Sequence, residues 1–470
     1  MAYQTINPFT NEIVKTYANA TPEEIENALA LGDERYHAWR REPIADRAQI
    51  LHRIAALMRD HKDQLAKIAT IDMGKLFTES QGEVELCAMI ADYYADHGAD
   101  LLAPTPITTQ ATGDAEIEKQ ATGIVMAVEP WNFPYYQIMR VFAPNFMVGN
   151  PMILKHASNT PGSAAAFEQL VNEANAPRGT FKNLFLSYDQ IGDIIADPRV
   201  QGVALTGSKR GGQAVAKAAG ENLKKNSMEL GGSDAFIVLA DADIDEAVNL
   251  AWRVRLYNAG QVCTSSKRFI VADSLYDQFV AALKEKFQAM VPGDPMDDQT
   301  TLAPMNSKRA KEKLQDQVDR AIAGGATVAY GNEPIDLPGQ FFQPTILTDI
   351  QPDNPLFYEE MFGPVAQVYR VADDQAAIDL ANNSELGLGG IVFSGDPVHG
   401  KQVAQQIETG MVFVNTFLSS LPELPFGGVK GSGYGREMSS LGLMAFVNEK
   451  LVVTAQKPDY QNGAGGLVIL

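Results

Sequence analysis

Three residues of this chain have side chains whose chemistry would combine usefully if folding brought them together. Cys263 lies in Asn258-Ala259-Gly260-Gln261-Val262-Cys263-Thr264-Ser265, a small, polar, flexible stretch unlike an apolar core strand, so its thiol is a candidate nucleophile. A thiolate attacks a carbonyl carbon well when a base or a positive surround raises its share at neutral pH. Glu229 lies in Met228-Glu229-Leu230-Gly231-Gly232, where paired glycines permit a tight turn that can hold a carboxylate at a cleft. Partial burial would tune that carboxylate as a general base for water. Asn132 falls in Pro130-Trp131-Asn132-Phe133-Pro134, between prolines that stiffen the backbone. A rigid amide N–H can donate to an oxyanion, an effect worth on the order of 3 kcal/mol in a transition state. Taken singly, each residue also has a plainer reading: an idle thiol, a surface carboxylate beside a turn, and a structural turn with an aromatic plug.

The rest of the sequence narrows the setting. At 470 residues the chain exceeds the size of a single core, which predicts two or more packed domains. A hydrophobic share of 45% with 20% charged residues is that of an ordinary globular protein. The formal net charge of −20 disfavours nucleic acid and anionic membrane surfaces as partners. Two cysteines are too few to staple so long a chain, and the opening MAYQTINPFT has no basic region followed by an apolar stretch, so a cytoplasmic location is expected. Cys87 shares an apolar face with Leu86, Met89, Ile90, Tyr93 and Tyr94 and reads as core. The six histidines are scattered without ligand spacing, so no metal is expected.

Elements able to position the three residues follow from periodicity. Residues 21–98 read as helical, opened by Thr21, Pro22 and Glu24. From Gly123 onward short apolar runs alternate with helical stretches: Ile124 to Val128, Met152 to Leu154, Leu184 to Leu186 and Val203 to Leu205. A second series follows at Ala235 to Leu239, Phe269 to Val271, Gly390 to Phe393 and Met411 to Val414. This is the texture of an α/β fold with two doubly wound parallel-sheet domains, which bind ligands at the carboxyl ends of their strands. Pro104 to Lys119 alternates like a hairpin around Thr112 and Gly113, and Ala445 to Thr454 has strand character; both are expected to pair outside the main sheets.

In sequence order, PWNFP, MELGG and GQVC together resemble the aldehyde dehydrogenase superfamily, as do Leu205-Thr206-Gly207-Ser208, Glu360-Met361-Phe362-Gly363-Pro364 and Pro425-Phe426-Gly427-Gly428. The resemblance runs nearly end to end. It implies an aldehyde dehydrogenase-like fold with a dinucleotide-binding domain at 1–102 and 121–230, a catalytic domain at 231–440, and a small β oligomerisation element at 103–120 and 441–470. It further implies that Cys263 attacks an aldehyde, Asn132 and the Cys263 backbone N–H hold the oxyanion, and Glu229 activates the water that releases the acid. For the dinucleotide it implies Lys155 at the adenosine ribose, Gly207 and Ser208 at the pyrophosphate, Glu360 at the nicotinamide ribose, and Trp131, Leu230 and Phe362 nearby. Ser158 stands where members that prefer NAD often carry a glutamate. Serine removes the repulsion of a 2′-phosphate, so NADP is the expected cofactor, with NAD use left open.

Within the superfamily the chain is most similar to bacterial succinate-semialdehyde dehydrogenases, through Tyr135 to Arg140 and Leu256 to Phe269. That similarity implies a semialdehyde substrate whose carboxylate meets Arg140, roughly two helical turns beyond Asn132, together with Ser420 and Phe426. Tyr257 departs from the pattern, because many such enzymes place an arginine there. Other aldehydes, a CoA-acylating reaction, an esterase and a non-catalytic binding protein on the same fold are the alternatives. A homodimer or homotetramer is expected.

Overall fold

The computed structural model describes residues 3–457. Four helices, Pro22–Trp39, Ile44–Asp60, Lys62–Met73 and Phe77–Leu101, fill the N-terminal stretch. The first starts with a complete capping box, in which the Thr21 side chain accepts from the backbone N–H of Glu24 and the Glu24 carboxylate accepts from that of Thr21.

A six-stranded sheet follows, in the order Gly433–Tyr434, Lys225–Glu229, Val200–Thr206, Ile124–Glu129, Met152–His156, Phe181–Asn183. All its pairs are parallel except that of Gly433–Tyr434 with Lys225–Glu229. Both faces are covered, and the two-residue alternation of a strand divides its side chains between two cores. Val125 and Ala127 pack with the helices Ile44–Asp60, Phe77–Leu101 and Tyr136–Val148, whereas Ile124 and Met126 pack on the opposite side with Ile191, Ile194 and Val215.

The second sheet has seven strands, ordered Thr327–Tyr330, Thr345–Thr348, Val365–Val371, Ser266–Ala272, Asp234–Val238, Gly390–Phe393, Phe413–Val414, and only Thr327–Tyr330 runs antiparallel to its neighbour. Its central strand is split in the same way, Phe236 and Val238 to one core and Ala235 and Ile237 to the other. A three-stranded antiparallel sheet of Thr105–Ile107, Asp114–Ala121 and Val447–Thr454 stands apart from both, so the hairpin and the late strand pair with each other. No helix of the described residues is long and apolar enough to cross a membrane.

Two strand expectations shift. The run Leu184 to Leu186 is not the strand; pairing uses Phe181–Asn183, and Leu184 and Leu186 are buried as the chain leaves the sheet. Of Met411 to Val414, only Phe413–Val414 pairs. Lys225–Glu229 is a sheet strand despite its polar sequence KNSME, and it delivers Glu229 at its carboxyl end.

The long helix Phe77–Leu101 fixes where the next one begins. Glu83, fully buried, accepts hydrogen bonds from the backbone N–H groups of Tyr135 (2.7 Å) and Tyr136 (3.0 Å), and so caps helix Tyr136–Val148, whose own N-cap residue makes no side-chain cap. The Lys75 ammonium, also buried, pairs with the other oxygen of Glu83 at 2.5 Å and lies 3.7 Å from the centre of the Phe133 ring. This pair fixes Pro130 to Pro134 from behind. Glu83→Ala leaves Lys75 uncompensated and the helix uncapped, and is expected to destabilise the fold by about 3–5 kcal/mol, read as a lower urea midpoint.

Candidate active site

The turn before Cys263 is held in an unusual backbone state. Asn258, Ala259 and Gly260 have φ of 52°, 50° and 73°, three successive left-handed residues. Asparagine and glycine tolerate this region, but an alanine there stores strain that its surroundings must offset. They do so on several sides. Glu79 accepts from the Asn258 backbone N–H at 2.9 Å, Asn258 Nδ2 donates to the Asn132 carbonyl at 2.9 Å, and Arg255 donates to the Gly260 carbonyl at 2.7 Å. Burial pushes the Glu79 carboxyl up to about 7.

Two cavities meet at Cys263. The first, of about 500 Å³, is lined by Trp131, Asn132, Gln137, Thr206, Gly207, Ser208, Leu230, Gly231, Glu360 and Phe362 among others. Trp131 and Phe362 meet edge to face across it, with ring centres 5.7 Å apart. Its far end is the start of helix Lys209–Glu221, where the Ser208 hydroxyl accepts from the Gly211 N–H at 3.3 Å; the unpaired amides of such an end attract anions. The second cavity, of about 600 Å³, is lined by Phe133, Tyr136, Gln137, Leu250, Arg253, Val254, Tyr257, Thr264, Ser265, Ser420 and Phe426 among others. Phe133 and Tyr257 stack there at 5.9 Å. Gln137 and Cys263 belong to both walls.

Asn132 is oriented on three sides. Its Nδ2 donates to the Gln261 carbonyl at 3.1 Å, its Oδ1 accepts from Gln137 at 3.4 Å, and its carbonyl is held by Asn258. A primary amide has two N–H groups, so one is left for the cleft it shares with Cys263. Although the thiol is reachable from both cavities, the protein around it desolvates a thiolate, and burial pushes Cys263 up to about 11 against the lowering effects of Lys267 and Arg140.

Two expected residues are placed differently. Glu229 lines neither cavity. It is only 2% exposed, its carboxylate oxygens have no hydrogen-bond partner, and it shares a buried cluster with Glu437, Arg140 and Arg436. Burial first, and then the charge of Glu437, push its carboxyl well above the usual range. Arg140, expected at the substrate carboxylate, lines neither cavity. Its side chain is sealed from both cavities, ion-paired through Nε to Glu437, with Nη2 donating to Thr206 at 3.0 Å and Nη1 to the Tyr136 hydroxyl at 3.4 Å. It lies under the Phe426 ring, 4.5 Å from its centre. Glu437 answers its charge, and three of its five N–H donors point to Glu437, Thr206 and Tyr136.

Tyr257, Ser420 and Phe426 do line the second cavity, as expected. Lys155 is the penultimate residue of strand Met152–His156 and Ser158 lies two residues beyond it, and neither lines either cavity. The Lys155 ammonium lies 5.8 Å from the Tyr3 ring and 5.7 Å from the Tyr188 ring, and burial pushes it down to about 8. The sequence reading missed Arg253, the one lysine or arginine in the wall of the second cavity. A signal was available: Leu250, Arg253, Val254 and Tyr257 recur at helical spacing, and all four face that cavity.

Comparison with known proteins places the chain among relatives over its whole length. The profile of the aldehyde dehydrogenase family matches residues 1–452. A protein of Deinococcus radiodurans named succinate-semialdehyde dehydrogenase [NADP(+)] is 48% identical over 97% of this chain and 96% of its own length. One of the same name from Mycobacterium avium is 42% identical over the whole of both chains. The crystal structure of succinic semialdehyde dehydrogenase from Streptococcus pyogenes in complex with NADP+ superimposes with a TM-score of 0.95 at 55% identity, covering 97% of this chain and all of that one.

The two thiols should separate cleanly in a labelling experiment. Cys87 is fully buried and its thiol is pushed well above the ordinary range, whereas Cys263 opens on both cavities. Iodoacetamide on the native protein is expected to label one site per chain, Cys263, at a rate that climbs with pH towards about 11; peptide mass mapping checks this.

Proposed function

The chain belongs to the aldehyde dehydrogenase family, and on that footing we propose that it oxidises succinic semialdehyde to succinate with NADP as the hydride acceptor. The observation that carries the reading is the junction at Cys263 of a cleft ending at a helix N-terminus and a second, largely apolar cavity that has one cation, Arg253, and the hydroxyls of Tyr257 and Ser420 in its wall.

Cys263 would enter the reaction as thiolate and attack the aldehyde carbon. The free N–H of Asn132, with the Cys263 backbone N–H, would receive the oxyanion of the thiohemiacetal. The bound dinucleotide supplies hydride acceptance. Glu229 would then serve as base for the water that cleaves the thioester, which requires its side chain to turn from the buried cluster towards Cys263 and lose its proton. Because burial disfavours its charged form, this step is expected to quicken as pH rises.

The first cavity suits a dinucleotide. Glu360 in its wall would hold the nicotinamide ribose, Trp131, Leu230 and Phe362 would flank it, and Gly207 and Ser208 would meet the pyrophosphate. Lys155 and Ser158 would take the adenosine ribose and its 2′-phosphate. An ammonium whose charge burial disfavours is restored by an arriving dianion, and Ser158 brings no opposing charge.

In the second cavity, Arg253 rather than Arg140 would meet the substrate carboxylate, aided by the hydroxyls of Ser420 and Tyr257, with Phe426 as an apolar wall. The first sheet with the N-terminal helices would form the dinucleotide-binding domain, and the second sheet the catalytic one. The small third sheet would carry the contact between subunits of a homodimer or homotetramer; exposed Leu451 and Val453 on its outer strand support this. The paucity of cysteines suits a cytoplasmic enzyme.

The test is NADPH absorbance on adding succinic semialdehyde; silence with both dinucleotides overturns the reading. Asn132→Ala is expected to lower kcat by about 10²–10³. Glu229→Gln is expected to leave a stoichiometric burst of NADPH followed by turnover about 10²–10⁴ slower. Arg253→Ala is expected to reduce kcat/KM for succinic semialdehyde by at least about tenfold more than for butanal, a loss on the scale of a charged hydrogen bond. Equal losses for the two aldehydes would remove Arg253 from recognition.

A further inference from the structure

We propose that Lys267 is a positioning residue of this reaction: its buried ammonium locks the turn carrying Cys263 to the carboxylate of Glu360 and brings positive charge to the thiolate. The side chain is wholly inaccessible, on strand Ser266–Ala272 just after the nucleophile. Its Nζ donates to the carbonyls of Val262 at 2.7 Å and Cys263 at 2.6 Å, and lies 3.4 Å from Glu360 Oε1. An ammonium has three donors, and here each has one partner, two on the nucleophile turn and one on the wall of the first cavity. The same oxygen of Glu360 accepts from the Gly232 N–H at 3.2 Å. Gly231 leaves room for this approach, since a side chain there would fall on the Glu360 carboxylate.

The charges around the thiol make Lys267 the one that matters. Lys267 and Arg140 favour the thiolate, while Glu360 and Asp234 oppose it. Arg140 is already paired to Glu437, so its field at the sulfur is largely cancelled. Facing Lys267 are Glu360 from the loop before strand Val365–Val371, Asp234 from the start of its own strand, Arg255 from helix Ile244–Leu256, and Cys263. Burial and Arg255 press it towards neutrality; Glu360 and Asp234 keep it charged. The ammonium therefore links two sites, because any pull on Glu360 by a ribose is felt at the carbonyl of Cys263. That last step rests on the proposed function; the effect on the thiol does not.

The experiment measures alkylation of Cys263 by iodoacetamide against pH, in protein free of dinucleotide, for wild type, Lys267→Met and Lys267→Arg. The methionine variant is expected to move the profile upward by about one pH unit or more, and the arginine variant to stay near wild type, since a neighbouring cation is what favours the thiolate. The NADP KM is expected to rise at least about tenfold in both, and Glu360→Gln combined with Lys267→Met should cost less than the product of the single losses, as for partners in one network. An unmoved profile in folded Lys267→Met overturns the proposal. If that variant does not fold, an unchanged NADP KM in Lys267→Arg overturns it instead. A moved profile in a protein without dehydrogenase activity would sink the proposed function while leaving the role of Lys267 at the thiol standing.

Discussion

Two carboxylates one turn apart on helix Phe77–Leu101 hold the site together. Glu79 grips the turn before Cys263 through Asn258, and Glu83 grips the start of the helix that follows Asn132. Residues four apart share a helix face, so one rigid rod spans the two loops and sets their separation. The bridge of Asn258 to the Asn132 carbonyl closes the loop between them. Burying charge is costly, and an ion pair such as Lys75–Glu83 adds little net stability compared with apolar packing. What it contributes is direction: hydrogen bonds fix angles that apolar contacts leave free.

A second buried cluster balances charge in the opposite way. Glu129, Glu229 and Glu437 surround the guanidinium of Arg140, all four residues almost wholly buried, with the less buried Arg436 beside Glu229. Glu437 takes the ion pair with Arg140, and burial outweighs the positive charges at all three carboxyls, pushing each above the usual range. Burial thus disfavours the charged forms of both Cys263 and Glu229, and a bound ligand would change those surroundings.

Much of this was legible in the chain itself, for reasons that differ by residue. Cys263, Asn132 and Glu229 stood out because glycine and proline punctuate backbone around them, and that punctuation is local. Apolar strands such as Ile124–Glu129 and Asp234–Val238 declared themselves by composition. Lys225–Glu229 did not, because its neighbours in the sheet, and not its own polar residues, make it a strand. The ion pair of Arg140 was not legible, because a spacing measured along a helix says how far a side chain can reach and nothing about Glu437, which lies far away in sequence. Lys267 and Arg253 are the converse: ordinary in sequence, and given meaning only by what surrounds them.

Strand Gly433–Tyr434 completes the edge of the first sheet, although the chain reaches it only after building the whole of the second. Glu229 ends the strand it pairs with, and Gly427, Arg436 and Glu437 close over the carboxylate. The late stretch thus completes the surroundings of both groups, Phe417 to Phe426 at the cavity of Cys263 and Gly427 to Glu437 at the carboxylate of Glu229. A chain ended before this stretch would lack both the edge strand of the first sheet and the residues that enclose Glu229.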